Sequence, residues 1–417
     1  MLYCLVKREV FSMEIDDVDC DVPVEALFLP EEAPITPSAP SYWEIAGEIL
    51  HSIALHLEKA IYASSDAILR NLVTPIRPGE DGNYCSPLLE RIHRCASTVF
   101  HLMLTPLTMS LFALGEGLHL LGDLMTGNPY IYFQGQGKET ADPNHFCILT
   151  LNACMLWGGL PRPLGGVTSP DDRVEKMAEK IKETEADIVL MQEMAYGPSV
   201  DLFQELKDEF PHCITRIGPN AFRMESGLCI FSKFPILSVK FLPFPDQNGM
   251  KRGAVFIETP NHYFINTHME AGDSEQDFEM RAEQFELISK EIARLKEQKN
   301  KPCFFGGDFN ADRFENNNEY NALLGNHEGF HDPYYQLHPT IDEHSASQTN
   351  LLLSHMLGKK ECERPYEMDD YILLHGNPDE FELNPELVDT FSLENPFSSL
   401  SDHKGLLLEV RRISSKN

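Results

Sequence analysis

From residue 145 onward the apolar positions switch between two periods. Val174, Met177, Ala178 and Ile181 recur at helical spacing, and so do Phe278, Ala282, Phe285, Ile288 and Ile292. Around them lie apolar runs of strand length: Cys147–Leu151, Ile188–Met191, Leu228–Ser232, Ala254–Ile257, Tyr263–Thr267, Pro302–Phe305, Ile372–Leu374 and Leu406–Val410. Runs of this length bounded by polar residues read as buried strands. Mixed strands and helices support an α/β or α+β fold, and the pattern alone goes no further.

The first third of the chain is patterned differently. Residues 1–40 are acidic and Pro-rich, as in Glu31-Glu32-Ala33-Pro34, and read as a poorly ordered lead. No secretory signal is expected, because Lys7-Arg8-Glu9 is followed by no uninterrupted apolar core before Asp16-Asp17. Residues 41–140 read as a helical hydrophobic region. Ile45, Ile49, Ile53, Leu57 and Ile61 recur every fourth residue as one stripe of an amphipathic helix. Cys95–Gly115 then carries no formal charge, and as a helix it would cover about 30 Å, the thickness of a hydrocarbon core. Pro106 interrupts it and His101 adds a polar group. A hairpin dipping into one leaflet is the expectation. A hairpin packed on the following domain, or a full span, are the alternatives. Residues 141–417 form the expected catalytic domain.

Polar residues terminate the strand runs of that domain. Asn152 follows Cys147–Leu151, Gln192-Glu193 follows Ile188–Met191, and His268 follows Tyr263–Thr267. Gly307-Asp308-Phe309-Asn310 follows Pro302–Phe305, Asp369-Asp370-Tyr371 leads into Ile372–Leu374, and Ser401-Asp402-His403 precedes Leu406–Val410. A Gly-Asp-x-Asn tetrapeptide by itself is as readily a strand leaving into a turn. Polar groups gathered at several strand ends are how mixed folds aim a site at one point.

In this order the set resembles the motifs of the endonuclease/exonuclease/phosphatase superfamily, over about residues 145 to 412. Leu104-Thr105-Pro106-Leu107, Asn128-Pro129-Tyr130-Ile131-Tyr132, Phe146-Cys147 and Asn152-Ala153-Cys154 further resemble neutral sphingomyelinases with hydrophobic N-terminal segments. Ser226-Gly227-Leu228, Phe234-Pro235-Ile236 and Arg252-Gly253-Ala254 fit the same family. The long polar insertion between that family's first two catalytic motifs is absent here. The resemblance implies an α+β fold, a four-layer sandwich of two β-sheets flanked by helices, behind the N-terminal helical region. It implies hydrolysis of sphingomyelin to ceramide and phosphocholine at a membrane surface, with the catalytic domain on the cytoplasmic side and anionic lipids as possible activators. The alternatives are an inositol-phosphate or nucleotide phosphatase or nuclease of the same fold, or a catalytically silent membrane-binding module.

Residue chemistry agrees with phosphoester cleavage. A phosphodiester repels nucleophiles and has a poor leaving group, and a hard divalent cation on oxygen ligands relieves both. Glu193 is the first-choice ligand, with Asn152 as a neutral oxygen donor or acting through water, and Asp402 as a second contact. So few ligands, all oxygen, favour Mg²⁺, with Mn²⁺ as a substitute. Asp308 would orient and deprotonate water, Asn310 hold the phosphate or that water, and His268 donate to a non-bridging oxygen. His403 would transfer a proton, with Asp370 fixing its tautomer. Whether His403 or Asp308 is the base stays open, as does the choice between Asp369 and Asp370 by one register step. Pro245–Gly253, with Asp246, Lys251 and Arg252, is a candidate gate or an ordinary turn.

Charge changes the substrate reading. Asp and Glu outnumber Lys and Arg by 65 to 34, for a net charge of −31 over 417 residues. A nucleic-acid substrate wants a basic face, so it is disfavoured, whereas a zwitterionic choline phospholipid carries no net charge to repel. The ten cysteines form no Cys-x-x-Cys pair, and Cys147, Cys229 and Cys303 lie in strand runs, where free buried thiols are expected.

Overall fold

The structure is a computed structural model that describes residues 33–34, 42–73, 87–155, 167–218, 225–245, 251–272, 274–312, 320–321, 323–324, 327, 329–339, 368–390 and 399–413. Apart from Ala33–Pro34, the expected lead 1–40 lies outside them, as does Asp246 of the candidate gate.

Two seven-stranded mixed sheets pack face to face. One has the order β1-β7-β8-β9-β10-β12-β11 and the other β13-β14-β3-β4-β6-β5-β2. The first comprises β1 (Ala33–Pro34), β7 (Ser238–Pro243), β8 (Gly253–Glu258), β9 (Tyr263–His268), β10 (Cys303–Asp308), β11 (Phe330–His331) and β12 (Asp370–His375). The second comprises β2 (Ile131–Gln134), β3 (His145–Met155), β4 (Ile188–Met194), β5 (His212–Thr215), β6 (Cys229–Ser232), β13 (Phe381–Val388) and β14 (Gly405–Arg412). Each expected strand run forms a strand. The short β1, β2, β5, β7 and β11 and the edge strand β13 go beyond the expectation, β1 falling inside the stretch expected as a poorly ordered lead.

The strand runs are apolar on both faces because both faces are covered. On β10, Phe304 turns inward to Phe146 and Phe264 of the intersheet core. Its neighbour Phe305 turns outward to Phe285 of helix α5 (Glu275–Gln298). Behind the other sheet lie α3 (Val174–Glu183) and α4 (Tyr196–Leu206), and Val174, Met177, Ala178 and Ile181 are all buried there. The layers are therefore helix, sheet, sheet and helix, the α+β sandwich the resemblance implies. Helix α5 starts at a reciprocal capping box, Ser274 with Asp277. Its buried face includes Met280, Arg281 and Gln284 beside Phe285, Ile288 and Ile292, while Ala282 faces solvent. Arg281 is tolerated inside because it donates to the carbonyls of Glu270 (2.9 Å) and Gly272 (2.8 Å).

Two long helices, α1 (Tyr42–Val73, 32 residues) and α2 (Pro87–Thr126, 40 residues), pack on each other as an antiparallel hairpin, with Pro106 inside α2. Small residues let the helices approach closely. A Cβ on Gly47 would meet Thr126 at 2.6 Å, and one on Gly122 would meet the His51 ring at 2.7 Å. The first part of the expected stripe of α1 faces outward: Ile45, Ile49 and Ile53 are exposed, Leu57 and Ile61 are half-buried, and Ala54, His51 and Glu58 are buried instead. Leu89–Thr126 is long and apolar enough to cross a membrane by length and composition, and most of it is exposed. The expectation of one charge-free segment divided at Pro106 becomes one continuous helix.

The hairpin docks by its base. Leu55 packs on Ile131 and Tyr196, Arg216 binds Asp123 at 2.6 Å, and Tyr196 stands edge-on to His119. Leu190, Ile230 and Ile214 share one row of the sheet. Arg216, just past β5, therefore lies at the same edge as Gln192-Glu193.

Candidate active site

Strand register assembles the polar anchors. Asp308 pairs with His268 on one side and Asp370 on the other, so three neighbouring strands carry them in one row. Across the sandwich Asn152 pairs with Gln192. The sheets are tied there by Gln192 Nε2, which donates across to Asn266 Oδ1 at 2.7 Å and, within its own sheet, to Thr150 Oγ1 at 3.1 Å. Two frames thus meet at one end, each set by backbone ladders rather than by loops.

The backbone departs from strand geometry where the frames meet. The β3–β4 register shifts between Asn152 and Met155. Cys154, Glu193 and Asn310 take left-handed φ of 48°, 53° and 50°. That conformation comes readily to Asn and costs energy at Cys and Glu, and such strain concentrates at functional sites. Gly307 (φ 149°) is required because a Cβ there would strike the Thr267 carbonyl oxygen at 2.1 Å.

Asp308 is the hub. Its Oδ2 accepts from Asn152 Nδ2 at 2.9 Å, and its Oδ1 from the Asn310 backbone N–H at 2.9 Å. His268 Nε2 lies 3.6 Å and His403 Nε2 4.0 Å from Oδ2. His403 Nδ1 lies 2.8 Å from Asp370 Oδ2. The carboxylate of Asp370 therefore faces His403, whereas Asp369 contributes its carbonyl to Phe309 N–H at 2.7 Å. Ser401 Oγ donates to the Asn152 carbonyl at 2.6 Å and accepts from His403 N–H at 3.1 Å, joining the segment after residue 399 to the end of β3. Asn310 Nδ2 donates to the Met269 carbonyl at 3.2 Å.

Asp308 and Asp370 are buried, while His268, Asp402 and His403 are each 7% exposed. Glu193 and Asn310 are partly open, which marks the mouth of the site. Burial works against an ionised Asp308, but the charge of His403 and the hydrogen bonds from Asn152 and the Asn310 N–H outweigh it and hold the carboxyl below its ordinary range. Burial lifts Asp370 to about 6 even against His403. Burial would also neutralise His403, yet the Asp370 pairing prevails and raises it well above the ordinary histidine value. His268 is pushed down to about 3 by burial and then by the Arg252 charge. The site thus holds an anionic Asp308 between a neutral His268 and a cationic His403.

A divalent cation suits this donor set. Burial and the charge of Asp402 raise the Glu193 carboxyl to about 7, a repulsion that a bound cation removes. Asp370 Oδ1 is buried with no hydrogen-bond partner. Ligand atoms of Asp308, Asp370 and His403 also converge within 4.8 Å, a grouping the sequence does not single out for metal. Asn152 turns its amide nitrogen to Asp308 and its oxygen to Cys154 N–H, at 3.1 Å.

Sequence reasoning passed over Arg173, Asn266 and the bridging role of Ser401. A lone Arg before an amphipathic helix reads as a solvated charge, and only tertiary contact shows otherwise.

A sequence model of the Endonuclease/Exonuclease/phosphatase family matches residues 149–403. No curated protein matches the chain. Among solved structures, beta toxin from Staphylococcus aureus is similar at 20% identity over 63% of this chain and 99% of that chain, with a TM-score of 0.48. Sphingomyelinase C from Streptomyces griseocarneus is similar at 17% identity over 64% and 99%, with a TM-score of 0.46. TDP2 from C. elegans is similar at 15% identity over 81% and 98%, with a TM-score of 0.48.

Proposed function

The chain belongs to the endonuclease/exonuclease/phosphatase family, and from that premise we propose a metal-dependent phosphodiesterase that hydrolyses sphingomyelin at a membrane surface. The observation that carries the lipid reading is positional. The exposed apolar hairpin docks, through Arg216 and Tyr196, on the edge of the sheet that bears Glu193. A hairpin lying in lipid would bring that edge to the interface where phospholipid headgroups sit. Five free thiols among the described residues of the catalytic half, at Cys147, Cys154, Cys213, Cys229 and Cys303, support a reducing, cytoplasmic side.

Mg²⁺ held by Glu193, by Asp402 and through water by Asn152 would neutralise the phosphate and stabilise the departing oxygen. Asp308, ionised beside two histidines, takes the proton of the attacking water. His403, cationic against Asp370, gives its proton to the ceramide oxygen as the P–O bond breaks. In this reading Asp308 is the base and His403 the acid. Asp370 fixes the ring through Nδ1, which leaves Nε2 for the transfer. Neutral His268 donates one hydrogen bond to a non-bridging oxygen, and Asn310 orients the phosphate or the water.

The test is a substrate panel with purified full-length protein: labelled sphingomyelin and phosphatidylcholine in mixed micelles, inositol phosphates and single-stranded DNA. Release of phosphocholine from sphingomyelin, with little DNA cleavage, is expected. Efficient DNA or inositol-phosphate cleavage without lipid turnover overturns the lipid reading and leaves the family chemistry standing.

A further inference from the structure

We infer that Arg173 is a positioning residue for the cation site, an inference that rests on the reading of Glu193, Asn152 and Asp402 as its ligands. Arg173 lies between the short turn Pro170–Asp172 and α3, where an arginine would ordinarily point to water. It is 2% exposed instead. Its guanidinium donates to four backbone carbonyls: Thr168 from Nε at 2.8 Å, Ala153 from Nη1 at 3.1 Å, Cys154 from Nη2 at 2.6 Å, and Leu400 from Nη1. None of these acceptors is a carboxylate.

The choice of acceptors carries the argument. Ala153 and Cys154 directly follow Asn152, at the point where β3 leaves its register with β4 and Cys154 turns left-handed. Leu400 comes two residues before Asp402. One planar group therefore clamps the end of β3 to the segment bearing Asp402 and His403, and Ser401 Oγ makes a second stitch between the same two segments. These carbonyls are not satisfied by a regular ladder, so the clamp also answers a hydrogen-bond need of the irregular backbone.

Charge adds a second reason. A buried cation with no ion-pair partner is costly. Burial works against the charged guanidinium, and the fields of Asp402, Asp172 and Glu193 favour it. Arg173 thus stands behind two candidate ligands as a permanent positive charge. It lessens their repulsion before a cation arrives, and it holds their separation when one does. Lysine could keep the charge but could not reach four carbonyls in one plane. A clamp that served folding alone would not need both of its ends within two residues of candidate ligands.

The experiment uses the full chain with Arg173→Lys and Arg173→Gln. Calorimetry measures Mg²⁺ binding to metal-free protein, and melting curves with and without Mg²⁺ accompany it. Removal of groups that orient metal ligands typically weakens metal affinity by 10–100-fold. The Mg²⁺ Kd is accordingly expected to rise by about tenfold or more in Arg173→Gln and by less in Arg173→Lys, with a smaller Mg²⁺-induced rise in melting temperature. Lower melting temperatures with an unchanged Mg²⁺ Kd would overturn the inference and leave Arg173 a folding clamp. Absence of Mg²⁺ binding by the unaltered protein would overturn the ligand reading itself, and the inference with it. Should neither variant fold, hydrogen exchange of the unaltered protein decides. Segments 152–155 and 399–404 are expected to gain protection with one shared Mg²⁺ midpoint, and separate midpoints would count against the clamp.

Discussion

The hairpin and the catalytic half are built with opposite insides. In the catalytic half the space between the sheets is filled by residues such as Phe146, Phe264 and Phe304, and the polar anchors stand at its edge with partners. In the hairpin the buried contact between helices holds His51, Glu58 and His119, while Phe100, Met103 and Leu107 point outward, with Met103 77% exposed. The buried groups run as a chain. Asp123 lies 3.4 Å from His51 Nε2, the Nδ1 atoms of His51 and His119 are 2.8 Å apart, and Glu58 lies 3.5 Å from His119 Nε2 and accepts from Tyr62 at 3.0 Å. Water would reward the opposite arrangement. Small residues and buried polar groups inside, with apolar side chains outside, would suit helices that meet in lipid.

The largest effect should separate the regions by chemistry. EDTA should silence phosphodiester turnover. Asp308→Asn and His403→Ala should each lower it by about 10² or more, while liposome flotation of the same proteins is unchanged. Full activity after chelation would remove the metal from the account.

Next comes the joint between the regions. Asp123→Ala removes the 2.6 Å partner of buried Arg216 and leaves it the fields of Glu225 and Glu116, and losing a hydrogen bond to a charged group costs about 1.5–3 kcal/mol. Thermal melts should show that loss. A melt within experimental error of the unaltered protein would mean that the hairpin base contributes little to the folded state.

A smaller effect probes the outer face. Leu102 is 55% exposed near the middle of α2, and a carboxylate at the centre of a lipid-buried helix costs roughly 2.5–3.5 kcal/mol. Leu102→Asp should weaken liposome flotation by about 100-fold in partitioning and leave activity on dissolved micelles intact. Equal flotation would place that face away from lipid.

The strand ends were legible because a buried strand is a short apolar run, and the polar residue that stops it is visible in the chain. Asn152, Glu193, His268 and Asp308 could be named that way. The weaker strands were not. β5 and β11 are too short to show a period, and β13 carries Pro385, which argues against a strand until it is seen on a sheet edge. The choice between Asp369 and Asp370 is one register step, invisible until β12 pairs with β10. Arg173 was unreadable for a related reason: residue type marks it for solvent, and only the meeting of β3 with the segment at Leu400 creates four carbonyls for it to serve.

The sequence by itself determined where the long helices and the buried strands lie, which end of the sandwich gathers polar groups, and that a charge-free helical stretch precedes it. These follow from periodicity and residue type, which are local. Tertiary structure decided which side of each stripe is inside. The Ile45, Ile49 and Ile53 stripe faces out because Gly47, Gly115 and Gly122 let the other face of α1 meet α2 more closely. It also decided that His268, Asp308 and Asp370 share one row, because strand register is a property of paired backbones and no single strand contains it.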